Sequence, residues 1–305
     1  MELIFLGTSA GRPTKERNAT SIVLNLTTDG GALWMFDCGE GTQQQLLKTN
    51  LNIAKLEVIF ITHLHGDHIF GLPGILTSRS LLQHMKSLTV FGPKGIKRFI
   101  ETAIDVSDST LTYPLRIHEI EQDGIIFQDS HFTVEVKKLD HRIDSYGYRI
   151  TEADKPGKLN SRKLKRDHIP TGPHRAKLKE GKNVELEDGR WVDSNEYVEM
   201  PIKGRSIVIL GDTLPSAKSV ELAENADLLV HEATQVADLA DKANKRGHST
   251  TLQAAEIAKE ANVKKLIITH ISPRYNLNDN SKLVNESRAV FPSTDIATDL
   301  AIFPV

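Results

Sequence analysis

Val58-Ile59-Phe60-Ile61-Thr62-His63-Leu64-His65-Gly66-Asp67-His68 is the stretch on which the reading of this chain turns. The apolar, largely β-branched run from Val58 to Ile61 reads as a buried strand. It stops at a cluster of side chains that a hydrophobic interior does not tolerate unpaired, so the strand ends at a site. His63 and His65 are two apart, and in an extended chain both imidazoles fall on one side, where they can grip one cation. Gly66 permits a sharp turn. Asp67 and His68 lie past it, at the start of the apolar segment Ile69-Phe70-Gly71-Leu72, face another direction and suit a second cation. Imidazole nitrogen with carboxylate oxygen and no thiolate favours zinc or a neighbouring first-row ion over calcium or an iron–sulfur centre.

The rest of the composition sets bounds. A chain of 305 residues suits one large domain or two small ones, with ample length to bury a core. A composition of 39% hydrophobic and 26% charged residues is that of a globular protein and argues against both disorder and a coiled coil. The net charge of -2 says little by itself. Cys38 is the only cysteine, so no intrachain disulfide can form and a reducing cytoplasm fits. The opening Met1-Glu2-Leu3-Ile4-Phe5-Leu6-Gly7 is too short, and carries an acid where a basic residue belongs, for a signal peptide. No run of about eighteen apolar residues occurs, so no membrane span is expected.

Strand-like runs open the chain at Leu3 to Leu6, Ile22 to Leu26 and Ala32 to Phe36, with Gly30-Gly31 as a hairpin turn between the last two. The loop from Gly7 to Asn18 is punctuated by Gly and Pro and carries three basic residues; alone it reads as a solvated turn. Asp37 either orients the His63 loop through a ring nitrogen or caps the helix expected near Thr42. Helices are expected around Leu72 to Met85 and Lys94 to Ile104, with a strand at Leu88 to Phe91 between them. This alternation predicts a layered α/β architecture. Three further strands end at ligand-type residues: Phe132 to Leu139 at Asp140-His141, Ser206 to Leu210 at Asp212, and Leu266 to Thr269 at His270. Singly, each such residue reads as a turn or cap. Together, four strands ending in metal-competent residues fit the gathering of sites at the carboxyl ends of strands. His248 stands at the entrance of a helix, Leu252 to Ala261, that Ser249 or Thr250 caps, where it can simply be exposed.

Residues 155 to 182 hold ten Lys or Arg against Asp167 and Glu180, a net of +8 that leaves the other 277 residues at -10. Few apolar residues and several Gly and Pro predict a mobile arm rather than a packed element. A phosphate backbone is its natural counterpart, and a solvated charged loop the plainer one.

With these residues in place, the chain resembles the metallo-β-lactamase superfamily, whose His-x-His-x-Asp-His motif is matched by His63, His65, Asp67 and His68. Within it, the resemblance is to the ribonuclease Z family of transfer-RNA 3′-processing endonucleases. It rests on Asp37 to Gln43, Pro13 to Asn18, His231-Glu232-Ala233-Thr234, His248-Ser249-Thr250 and His270 to Tyr275, and covers essentially the whole chain. The resemblance implies a single domain over 1–305 with a four-layer αββα sandwich, interrupted by a flexible, protruding basic arm at about 153–200 that serves as the exosite. It implies two Zn2+ per subunit, one held by His63, His65 and His141, the other by Asp67, His68 and His270, with Asp212 between them. Precursor transfer RNA is the implied substrate, cut 3′ of the discriminator nucleotide by water activated between two cations about 3.5 to 4 Å apart. The products are a 3′-hydroxyl on the transfer RNA and a 5′-phosphate on the trailer. Asp67 is the implied proton acceptor and His248, its ring held by Glu232, the implied donor. Pro13, Lys15, Arg17, Asn18, Gly172, Pro173, Arg274 and Tyr275 are implied RNA contacts, and the working form is an implied homodimer.

Two rival readings differ in kind. Another hydrolase of the superfamily, acting on thioesters, lactones or small phosphodiesters, shares His63 to His68 but has no evident use for the basic arm. An RNA-binding protein with a structural metal is the other, yet structural zinc sites are closed and thiolate-rich, whereas here seven ligands include no sulfur. The remaining His84, His118, His131, His168 and His174 read as surface or core residues.

Overall fold

Short strands of alternating residues dominate the chain, and their two faces decide the layering. The computed structural model describes residues 1–26, 31–82 and 86–305. Six strands come first: β1 (Glu2–Gly7), β2 (Ser21–Asn25), β3 (Leu33–Phe36), β4 (Leu56–Phe60), β5 (Leu88–Pro93) and β6 (Leu115–Ile120). Then follow β7 (Gly124–Gln128), β8 (Phe132–Leu139), β9 (Ser145–Glu152) and a short hairpin, β10 (Val184–Glu185) and β11 (Trp191–Val192). The last are β12 (Ser206–Leu210), β13 (Leu228–Glu232), β14 (Leu266–Thr269), β15 (Thr294–Ile296) and β16 (Ile302–Pro304). The helices are α1 (Thr42–Leu46), α2 (Gly66–Ile69), α3 (Leu72–Leu81), α4 (Ile96–Val106), α5 (Ser161–Arg166) and α6 (Pro173–Lys179), then α7 (Ala217–Ala223), α8 (Ala240–Asn244), α9 (Thr251–Glu260) and α10 (Asn280–Arg288). Among the described residues, no helix is long and apolar enough to cross a membrane.

By contacts the chain divides into two units, one of Met1–Gln128, Val134–Ile150 and Ser206–Val305, the other of Asp129–Thr133 and Thr151–Arg205. The first unit holds two seven-stranded sheets, ordered β16-β1-β2-β3-β4-β5-β6 and β15-β14-β13-β12-β9-β8-β7. Strands β3 to β6 run parallel, as do β12 to β15, so their carboxyl ends lie along one edge of each sheet.

The period of two in β3 and β4 separates the layers. Met35, Ile59 and Ile61 join Leu72, Ile75, Leu76, Ile96 and Ile100 of α3 and α4 in one buried cluster. Phe36 and Phe60 face the opposite way, stack at 5.0 Å, and meet Tyr148 of β9 at 6.0 and 5.2 Å. Trp34 meets Phe127 at 5.2 Å. On the outer face of the second sheet, Val208, Leu229 and Ile268 bury against Leu222, Ala254, Ala258 and Leu283 of α7, α9 and α10. The order is thus helix, sheet, sheet, helix, the αββα sandwich of the metallo-β-lactamase fold, with each fully buried Phe or Leu contributing about 1.5–3 kcal/mol.

Several boundaries differ from the sequence reading. α3 ends at Leu81 with Leu82 as its cap, and 83–85 of the helix expected to Met85 lie, with the Gly30 end of the expected hairpin turn, outside the described residues. α4 starts later than expected because Gly95, at φ 107, makes the turn into it.

The second unit corrects the expectation of an unpacked arm. Leu164, Ile169, Leu178, Val184, Leu186, Val192 and Tyr197 form a buried cluster of their own. Asn160 caps α5 through Lys163 N at 2.9 Å, and Asp193 caps the turn Ser194–Glu196. Glu152 closes the unit's base on Arg205 and Lys155. Four of these seven residues lie beyond residue 182, outside the basic tract, so the tract's own composition hid the core it helps to form. Charge is also more even than the tract suggested: over 151–205 thirteen Lys or Arg stand against ten Asp or Glu. Lys163, Arg166, Lys182 and Arg190 are paired with Glu196, Asp167, Glu180 and Asp188.

Candidate metal centre

The loops that leave β3, β4, β8, β12, β13 and β14 at their carboxyl ends meet in the first unit. Asp37 is the first residue after β3, buried and in a left-handed conformation (φ 57). Its carboxylate accepts from Thr62 N at 2.7 Å, Thr62 Oγ1 at 2.8 Å and His68 Nδ1 at 2.7 Å. Of its two readings the orienting one therefore holds; the turn into α1 is made by Gly41, at φ 78.

Hydrogen bonds at the rear of four rings decide which nitrogen faces inward. Because the Thr62 hydroxyl donates to Asp37, its oxygen accepts from His63 Nδ1, 3.0 Å away. The Thr20 hydroxyl donates to Ser9 O, so it accepts from His270 Nδ1 at 2.8 Å. His68 Nδ1 donates to Asp37, and His141 Nδ1 to the carbonyl of Gly247 at 2.7 Å. All four rings thus carry the proton on Nδ1 and present a bare Nε2, the tautomer a metal ligand needs.

Those Nε2 atoms converge. His63 Nε2 lies 3.0 Å from His65 Nδ1, and His141 Nε2 lies 3.4 Å from the same atom. Asp212, buried between them and the second set, stands 3.5 Å from His63 Nε2, 3.6 Å from His68 Nε2 and 3.1 Å from His270 Nε2. His68 Nε2 is 3.5 Å from Asp67 Oδ2. The ligand atoms of His63, His65, His141 and Asp212 all fall within 4.8 Å of one another, as do those of Asp67, His68 and His270. Nitrogen and oxygen donors at this spacing fit zinc-like cations. So does His68 Nε2, which is buried without a hydrogen-bond partner among the described residues, a state costly for a polar atom that nothing else satisfies.

The electrostatics agree. Burial holds His63, His65 and His141 below the usual imidazole range, hence neutral. Burial also works against charge on His68 and on Asp212, but each is overruled. Asp212, Asp37 and Asp67 raise His68 well above its ordinary value, while His270 and His68 hold the Asp212 carboxyl well below its own. A field that would keep a proton on His68 Nε2 is one that favours a divalent cation in its place.

Beside this centre stands a second device. Glu232 ends β13 with a buried carboxylate that accepts from His248 Nδ1 at 3.0 Å, Thr213 N at 3.1 Å and Thr234 Oγ1 at 2.6 Å. Ser249 Oγ donates to Thr213 O at 2.7 Å and ties the His248 loop to the residue after Asp212. Burial lowers His248, and Glu232 more than reverses this, pushing it up to about 9. Asp212, His248 and His270 also fall within ligand range of one another. With Nδ1 turned to Glu232 and the ring held protonated, His248 offers an ion no bare nitrogen.

The residues expected to touch RNA fare unevenly. Pro13, Lys15 and Arg274 are exposed. Asn18 turns its side chain inward onto Glu40 O at 2.8 Å. Tyr275 accepts from Val236 N, donates to Gln235 Oε1 and packs against the core, so its hydroxyl is already spoken for. Arg17 is a correction: only 2% exposed, its guanidinium donates to Thr8 Oγ1, Ala297 O and Asn280 Oδ1, so it is a structural residue and no surface contact. Gly172 and Pro173, exposed, begin α6 in the second unit. Thr20, Thr62, Thr234, Gly11 and Gly247 went unread, because their roles arise from contacts made between distant parts of the chain.

A family model described as "Anti-Pycsar protein Apyc1" matches residues 1–142. A protein of Proteus mirabilis named ribonuclease BN is 55% identical over 303 residues, covering 99% of this chain and 99% of that one. A protein of Listeria monocytogenes serotype 4a named ribonuclease Z is 51% identical over 305 residues, covering 100% and 99%. Among solved structures, the human tRNase Z, short form, is 30% identical with a TM-score of 0.73, covering 100% of this chain and 99% of that one.

Proposed function

The chain belongs to the ribonuclease Z family, and from that premise we propose that its seven clustered ligands hold two zinc ions with which it cuts the 3′ trailer from precursor transfer RNA. It is a metal-dependent endoribonuclease of transfer-RNA 3′ processing. The observation that carries the assignment of the centre is the set of outward Nδ1 donors on His63, His68, His141 and His270, which leaves four bare Nε2 atoms aimed at shared carboxylates.

When bound, two such ions supply a water acidified to about neutral pH and positive charge against the phosphodiester oxygens. His63, His65 and His141 would hold the first, Asp67, His68 and His270 the second, and Asp212 would serve as a ligand shared by the two groups. Asp67 keeps one oxygen on Gly11 N–H at 2.7 Å and takes up the proton of the attacking water. His248 carries the other mobile proton on Nε2, since its Nδ1 is engaged by Glu232, and donates it to the departing 3′-oxygen of the transfer RNA. The exposed Lys15 and Arg274 hold the RNA 3′ end by its phosphates, and the basic helices of the second unit hold its backbone. The working form is a homodimer in the cytoplasm, a setting that the single buried Cys38 supports.

Purified protein, assayed for zinc and then incubated with a 3′-extended transfer-RNA precursor, tests the proposal when both product ends are mapped. Two zinc ions per chain, with a 3′-hydroxyl on the transfer RNA and a 5′-phosphate on the trailer, are expected. Cleavage that survives complete zinc removal would sink the assignment of the centre. With His248→Ala, both ions should stay bound while turnover falls by about 100-fold or more.

A further inference from the structure

His270 sits in a left-handed backbone conformation, φ 56, which a non-glycine residue keeps only where its surroundings hold it. The segment Thr8 to Gly11 does the holding. Ile271 N donates to Thr8 O at 2.9 Å and Ala10 N to Ile271 O at 3.0 Å, so the residue after His270 is fastened on both sides. Ser9 O receives the Thr20 hydroxyl that sets the His270 tautomer. Gly11 N–H, one residue on, meets Asp67 Oδ2 at 2.7 Å. A four-residue segment therefore touches Asp67 directly and braces His270 through its neighbours Ile271 and Thr20.

This segment is gripped in turn from the far end of the chain. Thr8 Oγ1 donates to Asp299 Oδ1 at 2.7 Å and accepts from Arg17 Nη1 at 2.6 Å, so one hydroxyl joins an acid to a base. The other Asp299 oxygen accepts from Asn18 N at 2.6 Å, 281 residues away in sequence, and from Gln45 Nε2 at 2.7 Å. Arg17 goes on to Ala297 O at 2.8 Å and Asn280 Oδ1 at 2.6 Å. Both ends of the loop from Thr8 to Asn18 are thus pinned to the segment Ala297 to Asp299 by partly or fully buried polar groups. Such groups are costly to strand, which makes the clamp stiff.

We propose that Asp299 and Arg17, joined through the Thr8 hydroxyl, are positioning residues that set how tightly Asp67 and His270 hold their metal ion. This rests on the reading in which Asp67, His68 and His270 hold one ion of a pair. Neither residue touches a proposed ligand; both act by fixing the segment that carries Gly11 N–H to Asp67 and braces the backbone after His270.

The test compares the zinc-loaded protein with Asp299→Asn and Thr8→Val, following zinc release during chelator titration and measuring kcat and KM on a 3′-extended transfer-RNA precursor. Asp299→Asn turns an amide N–H toward groups that already donate. One of the two ions should then leave at about tenfold lower chelator, the other being retained as in the wild type. kcat should fall in step with the loss of that ion, while any rise in KM reports on Lys15, whose loop the same clamp pins at both ends. Thr8→Val keeps the side-chain shape, cuts only the link between Arg17 and Asp299, and should shift the same ion in the same direction by less; it carries the test if Asp299→Asn does not fold. Folded variants that hold both ions as tightly as the wild type overturn the proposal. So does a raised KM at unchanged zinc content for Arg17→Lys, which would make Arg17 an RNA contact. A wild-type protein that releases only a single ion overturns the two-ion reading itself, which is a distinct result.

Discussion

The Nδ1 of His141 donates to the carbonyl oxygen of Gly247 across 2.7 Å and 106 residues of sequence. One loop thereby serves two ends: its Gly247 carbonyl sets the tautomer of His141, and its next residue, His248, holds a proton against Glu232. His141 and His248 are registered to each other by a single peptide unit.

Gly247→Ala tests that registration. The residue stands at φ 83, and a Cβ there would lie 2.7 Å from His141 Nδ1. Backbone strain alone costs about 1–2 kcal/mol, and the ring it would displace cannot move without leaving the centre. Metal affinity should drop by about 10–100-fold, chiefly for the ion held with His63 and His65. Competition with a chromogenic chelator measures it, and wild-type retention would show that the Gly247 bond is dispensable.

The loop His63 to His68 was legible in the sequence because it is local: a buried strand, a two-residue spacing and a glycine turn state the chemistry within a few positions. His141, Asp212 and His270 were legible as strand ends, and their grouping then came from the resemblance. What could not be read is whatever long-range packing decides. Arg17 sits in a loop rich in basic residues and looks like a surface contact, yet its burial depends on Thr8, Asn280 and Ala297. Likewise, the buried cluster of the second unit draws on Val184, Leu186, Val192 and Tyr197, spaced too widely among charges to show a period.

With His248 as the proposed general acid, the pH dependence of turnover follows from its proton. A general acid must be protonated, and Glu232 raises His248 to about 9, so the proton is present through neutral pH and is lost as pH rises through that value. Turnover of a small phosphodiester should therefore show a basic limb. Glu232→Gln removes the charge that raises the ring but leaves the burial that lowers it, and the limb should move to lower pH. The variant's deficit relative to the wild type should be larger at about pH 8 than at about pH 6. A deficit of equal size at both would mean that Glu232 does not act through the His248 proton.

The second unit invites a charge test rather than a deletion, because removing residues 155 to 182 takes Leu164, Ile169 and Leu178 out of a buried cluster and would unravel what remains. Lys158, Arg162, Lys165, Lys177 and Lys179 are the suitable targets, since they are exposed and make no ion pair among the described residues. Replacing all five by Gln leaves the cluster and the pairs of Lys163, Arg166 and Lys182 intact. For every phosphate that these side chains no longer neutralise, the slope of log affinity against log salt should flatten by about 0.7–0.9, and binding of transfer RNA should weaken most at low salt. Hydrolysis of a small phosphodiester should be unchanged, since none of the five is a ligand of the centre. An unaltered salt slope would show that these lysines and this arginine form an ordinary solvated face. A parallel fall in turnover of the small substrate would mean instead that the second unit takes part in the chemistry.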